Sequence, residues 1–150
     1  LVAMGLAIAF RARRPLLVAS SSRRRAATEE DVALAARLTW LLEREALETW
    51  PELRIADIAS RLGEPEHRVS RCIAALGFAN FNRWINHHRI ARARTMLADP
   101  AEPRSILQIA FACGFASLGP FNRAFRDDMG MTPREYRSGR QPPPSATATR

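Results

Sequence analysis

In two places along this chain, apolar residues fall at i, i+3 and i+4 and then stop at a glycine. Ile55, Ile58, Ala59 and Gly63 form the first Ile-x-x-Ile-Ala-x-x-x-Gly. Ile106, Ile109, Ala110 and Gly114 form the second, 51 residues later. That spacing lays three apolar side chains along one face of a short helix, which the glycine ends. More helix follows each glycine, and each following segment carries an arginine among its apolar residues, Arg71 and Arg123. Two helix-turn-helix units explain the repeat most economically.

The remaining pattern is also helical. Thr28 stands three residues before Asp31, as in a capping box. Val32, Ala35, Leu38, Leu41 and Leu42 then recur at helical spacing until Pro51 ends the helix after Trp50. The first repeat predicts a helix over about 54–62. Pro65 marks the start of the next, which runs to Leu76 with Val69, Cys72, Ile73 and Leu76 inward. Asn80 is an N-cap for a longer helix to Leu97, with Phe81, Trp84, Ile85, Ala93 and Leu97 as its apolar positions. Asp99, Pro100 and Pro103 form a loop, and Ser105 caps the second repeat helix, which reaches Cys113. Ser117 caps the following segment, where Phe121, Ala124 and Phe125 face inward. Thr132-Pro133 opens a last short helix. No window alternates as a strand does. The fold class is therefore all-α, with two helix-turn-helix subdomains at about 54–76 and 106–128 joined by a long linker helix.

Charge changes this picture by its placement. Of the net +8, residues 1–30 hold +4 and residues 139–150 hold +2, leaving +2 for the body, 31–138. Inside the body, 31–60 is −3, 61–98 is +5 and 99–138 is neutral. The basic stretch covers the first turn unit and the segment after it, which suits a polyanion, although an ordinary charged surface also accounts for it. Lysine is absent, which reads first as GC-rich coding and only secondarily as selection for phosphate-binding forks. Cys72 and Cys113 read as reduced, buried thiols of a cytosolic domain. Four segments follow: 1–19, an apolar end with a basic flank; 20–30, a linker; 31–138, the folded domain; and 139–150, a disordered tail. The first residue, Leu1, leads to the expectation of a fragment. Residues 1–10 are uncharged and precede three arginines, so they read either as the last turns of a truncated transmembrane helix or as a short apolar helix packed on the domain.

The candidate chemistry lies behind each glycine. His67, Ser70, Arg71 and Ala74 share one stripe opposite the inward residues. Arginine can donate two hydrogen bonds to guanine O6 and N7, while His and Ser reach bases or phosphates. A solvated helix face explains that stripe in isolation; the duplicated unit shifts the reading toward DNA. In the second unit, Leu118, Gly119 and Pro120 occupy the helix start, leaving Asn122 and Arg123 as base-reading candidates and Leu118 for a thymine methyl. The same unit could instead grip phosphate through its helix start and nearby arginines. Arg68, Arg83, Arg89, Arg92, Arg94 and Arg126 are the phosphate candidates. His87 and His88 are adjacent and point about 100° apart on a helix, so they are a poor metal pair. His67 and Cys72 are poorly aligned, and Asp127-Asp128 reads as a solvated helix end. With no ligand spacing, phosphate loop or catalytic constellation, the expectation is no metal, no cofactor and no enzyme.

Four longer stretches carry a family likeness. Ile106-Leu-Gln-Ile-Ala-Phe-Ala-Cys-Gly-Phe115, Phe121-Asn-Arg-Ala-Phe-Arg126 and Gly130-Met-Thr-Pro-Arg-Glu-Tyr-Arg137 closely resemble the DNA-binding domain of AraC/XylS-type bacterial transcription regulators. Asn86-His-His-Arg-Ile-Ala-Arg-Ala-Arg-Thr-Met-Leu97 is similar to that family's linker helix. The likeness covers roughly 31–137. It implies seven helices, with two recognition helices entering successive major-groove segments of double-stranded DNA about 34 Å apart. It places His67, Ser70 and Arg71 on the first and Asn122 and Arg123 on the second. Leu118-Gly119-Pro120 departs from the polar helix start common in the family, and the spacing around Gly77–Phe81 differs by one residue. Family members usually carry a separate sensing or dimerisation domain, and nothing in these residues looks like one. RNA polymerase, and a second copy bound through a missing domain, are accordingly further partners to consider. The domain belongs in the cytoplasm, tethered to the inner membrane if residues 1–10 end a membrane helix. The alternative is a membrane-anchored helical interaction module with vestigial DNA binding.

Overall fold

Seven α-helices and one 3₁₀ turn make up residues 29–139, the part described by the computed structural model. In chain order they are α1 (Glu29–Glu45), the turn Leu47–Thr49, α2 (Ile55–Leu62), α3 (Glu66–Ala75), α4 (Phe81–Ala98), α5 (Ile106–Ala112), α6 (Leu118–Met129) and α7 (Pro133–Arg137). There is no strand among the described residues. The Thr28 cap, the apolar residues 1–10, residues 20–28 of the linker and the tail beyond Gly139 lie outside them, and Glu29 and Glu30, expected in the linker, instead open α1. No helix of the described residues is long and apolar enough to cross a membrane.

Local chemistry sets most of the boundaries. Asn80 accepts the Arg83 backbone N–H at 2.9 Å and opens α4. Ser105 and Gln108 close a reciprocal capping box on α5, as Thr132 and Glu135 do on α7. Ser117 departs from expectation: its side chain caps nothing. Pro120 occupies the third helical position and has no N–H to donate. α1 also differs, ending at Glu45 because Ala46 turns left-handed at φ 49°. Its inward stripe is Leu34, Leu38, Leu41 and Leu42, which leaves Val32 on the outside, 61% exposed. Leu76 falls beyond the last turn of α3 and is exposed rather than inward.

The buried residues form two cores. Leu34, Leu38, Leu42, Leu47, Ile58, Val69 and Ile73 pack around Trp84 and Ile85. Ile109, Ala110, Cys113, Phe115, Phe121 and Phe125 pack around Ile90, Ala93 and Leu97. α4 contributes to both, its first half to one and its second half to the other. Arg37 crosses from α1 to donate to the Leu62 carbonyl at 2.6 Å, satisfying the end of α2. Both cysteines are buried and free, and burial pushes the Cys113 thiol up to about 11.

His88 packs edge-on against Trp84, with ring centres 5.1 Å apart. Burial, followed by the neighbouring His87, lowers its pKa from 6.5 to about 4. Folded His88 is thus neutral in a range where the unfolded chain binds a proton. Its contribution to stability is complete above pH 6.5 and is lost as pH falls toward 4. Glu102, held at about 2 by its hydrogen bond from Arg104, loses its contribution only lower, between about 4.5 and 2. The thermal midpoint should fall on acidification from pH 6.5 to 4, and His88→Gln should flatten that fall. An unchanged slope in the variant would assign the effect to other groups.

Candidate nucleic-acid interface

α3 buries Val69, Cys72 and Ile73, and the 3.6-residue period then turns His67, Ser70 and Arg71 outward, all three exposed. Arg71 forms no ion pair or hydrogen bond among the described residues, so its five donors are free for a ligand. α6 buries Phe121 and Phe125 and exposes Arg123 and Arg126, with Asn122 half-buried. The Arg123 guanidinium folds back over the first turn of its helix. A Cβ on Gly119 would sit 3.7 Å from its Nη1, in ordinary contact.

Between the first half of α4 and the start of α6 lies an open cleft of about 410 Å³. Arg123 and Pro120 line it from α6, and Asn82, Arg83, Asn86 and His87 from α4. Two polar clasps hold the far end: Arg83 to Asp127 at 2.9 Å and His87 Nδ1 to Asp128 at 3.0 Å. Asp127-Asp128 is therefore the seam between α6 and α4 rather than a free helix end. The asparagines were not signalled by periodicity, because Asn82 and Asn86 look like any solvated i, i+4 pair until α6 arrives opposite them.

The phosphate candidates divide sharply. Arg94 and Arg126 are exposed, with no ion pair among the described residues. Arg83 is exposed but committed to Asp127, and Arg92 faces Glu48 at 3.5 Å. Arg68 does not fit the expectation: it is half-buried and donates to both Glu64 (3.1 Å) and Glu30 (3.0 Å), which offset its charge. Arg89 overturns it outright. Only 8% of Arg89 is exposed, and it donates to the carbonyls of Glu48 at 2.7 Å and Trp50 at 2.6 Å. The sequence held a signal for this. Ile85, Arg89, Ala93 and Leu97 recur every four residues, which places the arginine in an inward row.

Comparison with known proteins agrees with this architecture. Residues 58–139 match the helix-turn-helix domain family of AraC type. The HTH-type transcriptional activator RhaS of Klebsiella pneumoniae (strain 342) is 30% identical over 126 residues, covering 83% of this chain and 43% of that protein. The chain thus spans less than half the length of that relative. A Chromobacterium violaceum transcriptional regulator described as containing an AraC-type DNA-binding domain superposes with a TM-score of 0.63 at 29% identity, over 77% of this chain and 99% of that one. The DNA-binding domain of AdpA, solved in complex with a target DNA, shares the fold, with a TM-score of 0.59 at 21% identity over 70% and 90% of the two chains. This chain belongs to the AraC/XylS family of transcription regulators and carries its helix-turn-helix DNA-binding domain.

Proposed function

We propose that this protein binds double-stranded DNA sequence-specifically and regulates transcription, with α3 and α6 lying in successive major-groove segments. The observation that carries this reading is the uncommitted arginine on each second helix of the repeat. Arg71 stands beside His67 and Ser70, and Arg123 beside Asn122, while both helices pack on α4. An exposed guanidinium on a rigid helix can fork onto guanine with little further ordering. α3 is the richer reader. α6 contributes Arg123 and, through Leu118, an apolar contact, while Arg94 and Arg126 add phosphate contacts. Such a role places the domain in the cytoplasm. The relatives' designation as transcriptional activators favours action beside RNA polymerase, with pairing of copies supplied by a further domain. The membrane-anchored interaction module depends on residues 1–10, outside the described part, and gains no support from the helices.

Selection from random duplexes tests the reading: an enriched bipartite motif supports it, and no enrichment refutes it. On the selected site, log affinity should fall linearly with log salt, by about 0.9 for each phosphate neutralised. Arg71→Ala or Arg123→Ala should weaken specific binding by about 1–3 kcal/mol and leave random DNA nearly unaffected. Equal loss on both DNAs would reassign that arginine to phosphate.

A further inference from the structure

The two glycines of the repeat are not equivalent. Gly63 has φ +66°, and a Cβ there would meet nothing within 4 Å. Gly114 has φ +85°, and its Cβ would collide with the Glu48 carbonyl oxygen, lie 2.9 Å from the Thr49 carbonyl carbon and come 3.0 Å from Arg89 Nε. The turn of the second unit is therefore pressed backbone to backbone against the Leu47–Thr49 turn between α1 and α2, which belongs to the first core through Leu47. Arg89 stands at the same point. Its two hydrogen bonds reach carbonyls of that α1–α2 connection, Glu48 and Trp50. Its guanidinium lies 5.5 Å from the ring centre of Phe115, in the second unit. Arg92, one turn along α4, faces the Glu48 carboxylate at 3.5 Å. Three separate pieces of chain meet here: the Leu47–Thr49 turn, α4 and the Gly114-Phe115 turn.

We infer that this joint, with Arg89 as its positioning residue, sets the separation and angle of α3 and α6 and so dictates the number of base pairs between the two halves of the DNA site. The inference rests on the DNA-binding reading above. Each added base pair moves the second half-site by about 3.4 Å and turns it by about 35°. A joint that cannot yield by that amount must reject the altered spacer. Arg89 touches no DNA in this arrangement and acts only through the two units it ties together.

The test measures affinity for the selected bipartite site and for versions with the spacer one base pair shorter or longer. Wild-type protein should lose about tenfold or more on either altered spacer, roughly what forfeiting one bidentate arginine–guanine pair costs. Arg89→Met removes both carbonyl contacts, and Arg89→Lys keeps the charge but replaces the fork with one flexible ammonium. In a variant shown to be folded by circular dichroism, the spacer preference should shrink to about twofold or less. Leu38→Ala, a core change away from the joint, should lower the melting temperature and leave the spacer preference intact. A folded Arg89 variant with the wild-type preference would overturn the inference, as would a wild-type protein indifferent to spacing. If neither Arg89 variant folds, Arg92→Met, which releases the Glu48 carboxylate at the same joint, takes their place under the same criterion. Enrichment of a single half-motif would also refute the joint while sparing DNA binding, whereas no enrichment would refute DNA binding itself.

Discussion

Replacing Gly114 with alanine should cost about 3–5 kcal/mol, against about 1–2 kcal/mol for the same change at Gly63. At Gly63 the methyl enters open space, so the cost is that of holding an L-residue in the left-handed region at φ +66°. Gly114 carries the same conformational cost at φ +85°, and a collision in addition. The atoms its methyl would meet are mainly backbone, at Glu48 and Thr49, which cannot rotate aside as a side-chain tip can. Opening that contact also strains the hydrogen bonds from Arg89 to the same turn. Urea unfolding of the two variants measures the difference as a shift in midpoint at constant slope. Equal losses at the two glycines would mean that the second turn is not pressed on the first.

Truncation of either core should unfold both. Trp84 is 1% exposed in the first core and Phe121 is fully buried in the second. Replacing either with alanine leaves a large cavity and should cost about 3–5 kcal/mol. The units share α4, and Gly114 and Arg89 bind the second to the first, so the loss should appear in one common transition. The molecule carries its own probe for this. All three tryptophans, Trp40, Trp50 and Trp84, lie before the second unit, so fluorescence reports the first unit while circular dichroism reports all helices. In Phe121→Ala the two midpoints should move down together. A fluorescence midpoint left at the wild-type value, with a biphasic helical signal, would show units that unfold separately.

Much of the helical layout was legible in the residue pattern. The caps at Asn80, Ser105 and Thr132, the glycine stops and most inward residues of α3, α4 and α6 (Val69, Cys72, Ile73, Trp84, Ile85, Ala93, Leu97, Phe121 and Phe125, but not Leu76) are local matters, decided within four residues by hydrogen-bond reach and helical period. The stripe on α3 was legible for the same reason: once Val69, Cys72 and Ile73 are inward, His67, Ser70 and Arg71 must be outward. Errors arose where a local rule met a missing partner. Ser117 has the right side chain for a cap, but Pro120 removes a donor it needs. Val32 fits the helical spacing of α1, yet the inward face is centred on Leu34 and Leu38.

The arginines show where sequence reasoning stopped. Arg68, Arg89 and Arg94 are chemically identical, and each lies in or beside the same basic stretch. One is shared between two glutamates, one is buried beside the joint of the two cores, and one is open to solvent. Most of the acceptors that make this distinction come from far along the chain: Glu48 and Trp50 lie about 40 residues before Arg89, and Glu30 lies 38 before Arg68, while only Glu64, four residues before Arg68, is local. The sequence by itself therefore determined most of the helices and caps, the repeat and the family. Only the tertiary structure decided which cations remain free for a phosphate or base and which hold the two units together. A guanidinium takes its role from the oxygen nearest to it, and that oxygen is delivered by the fold.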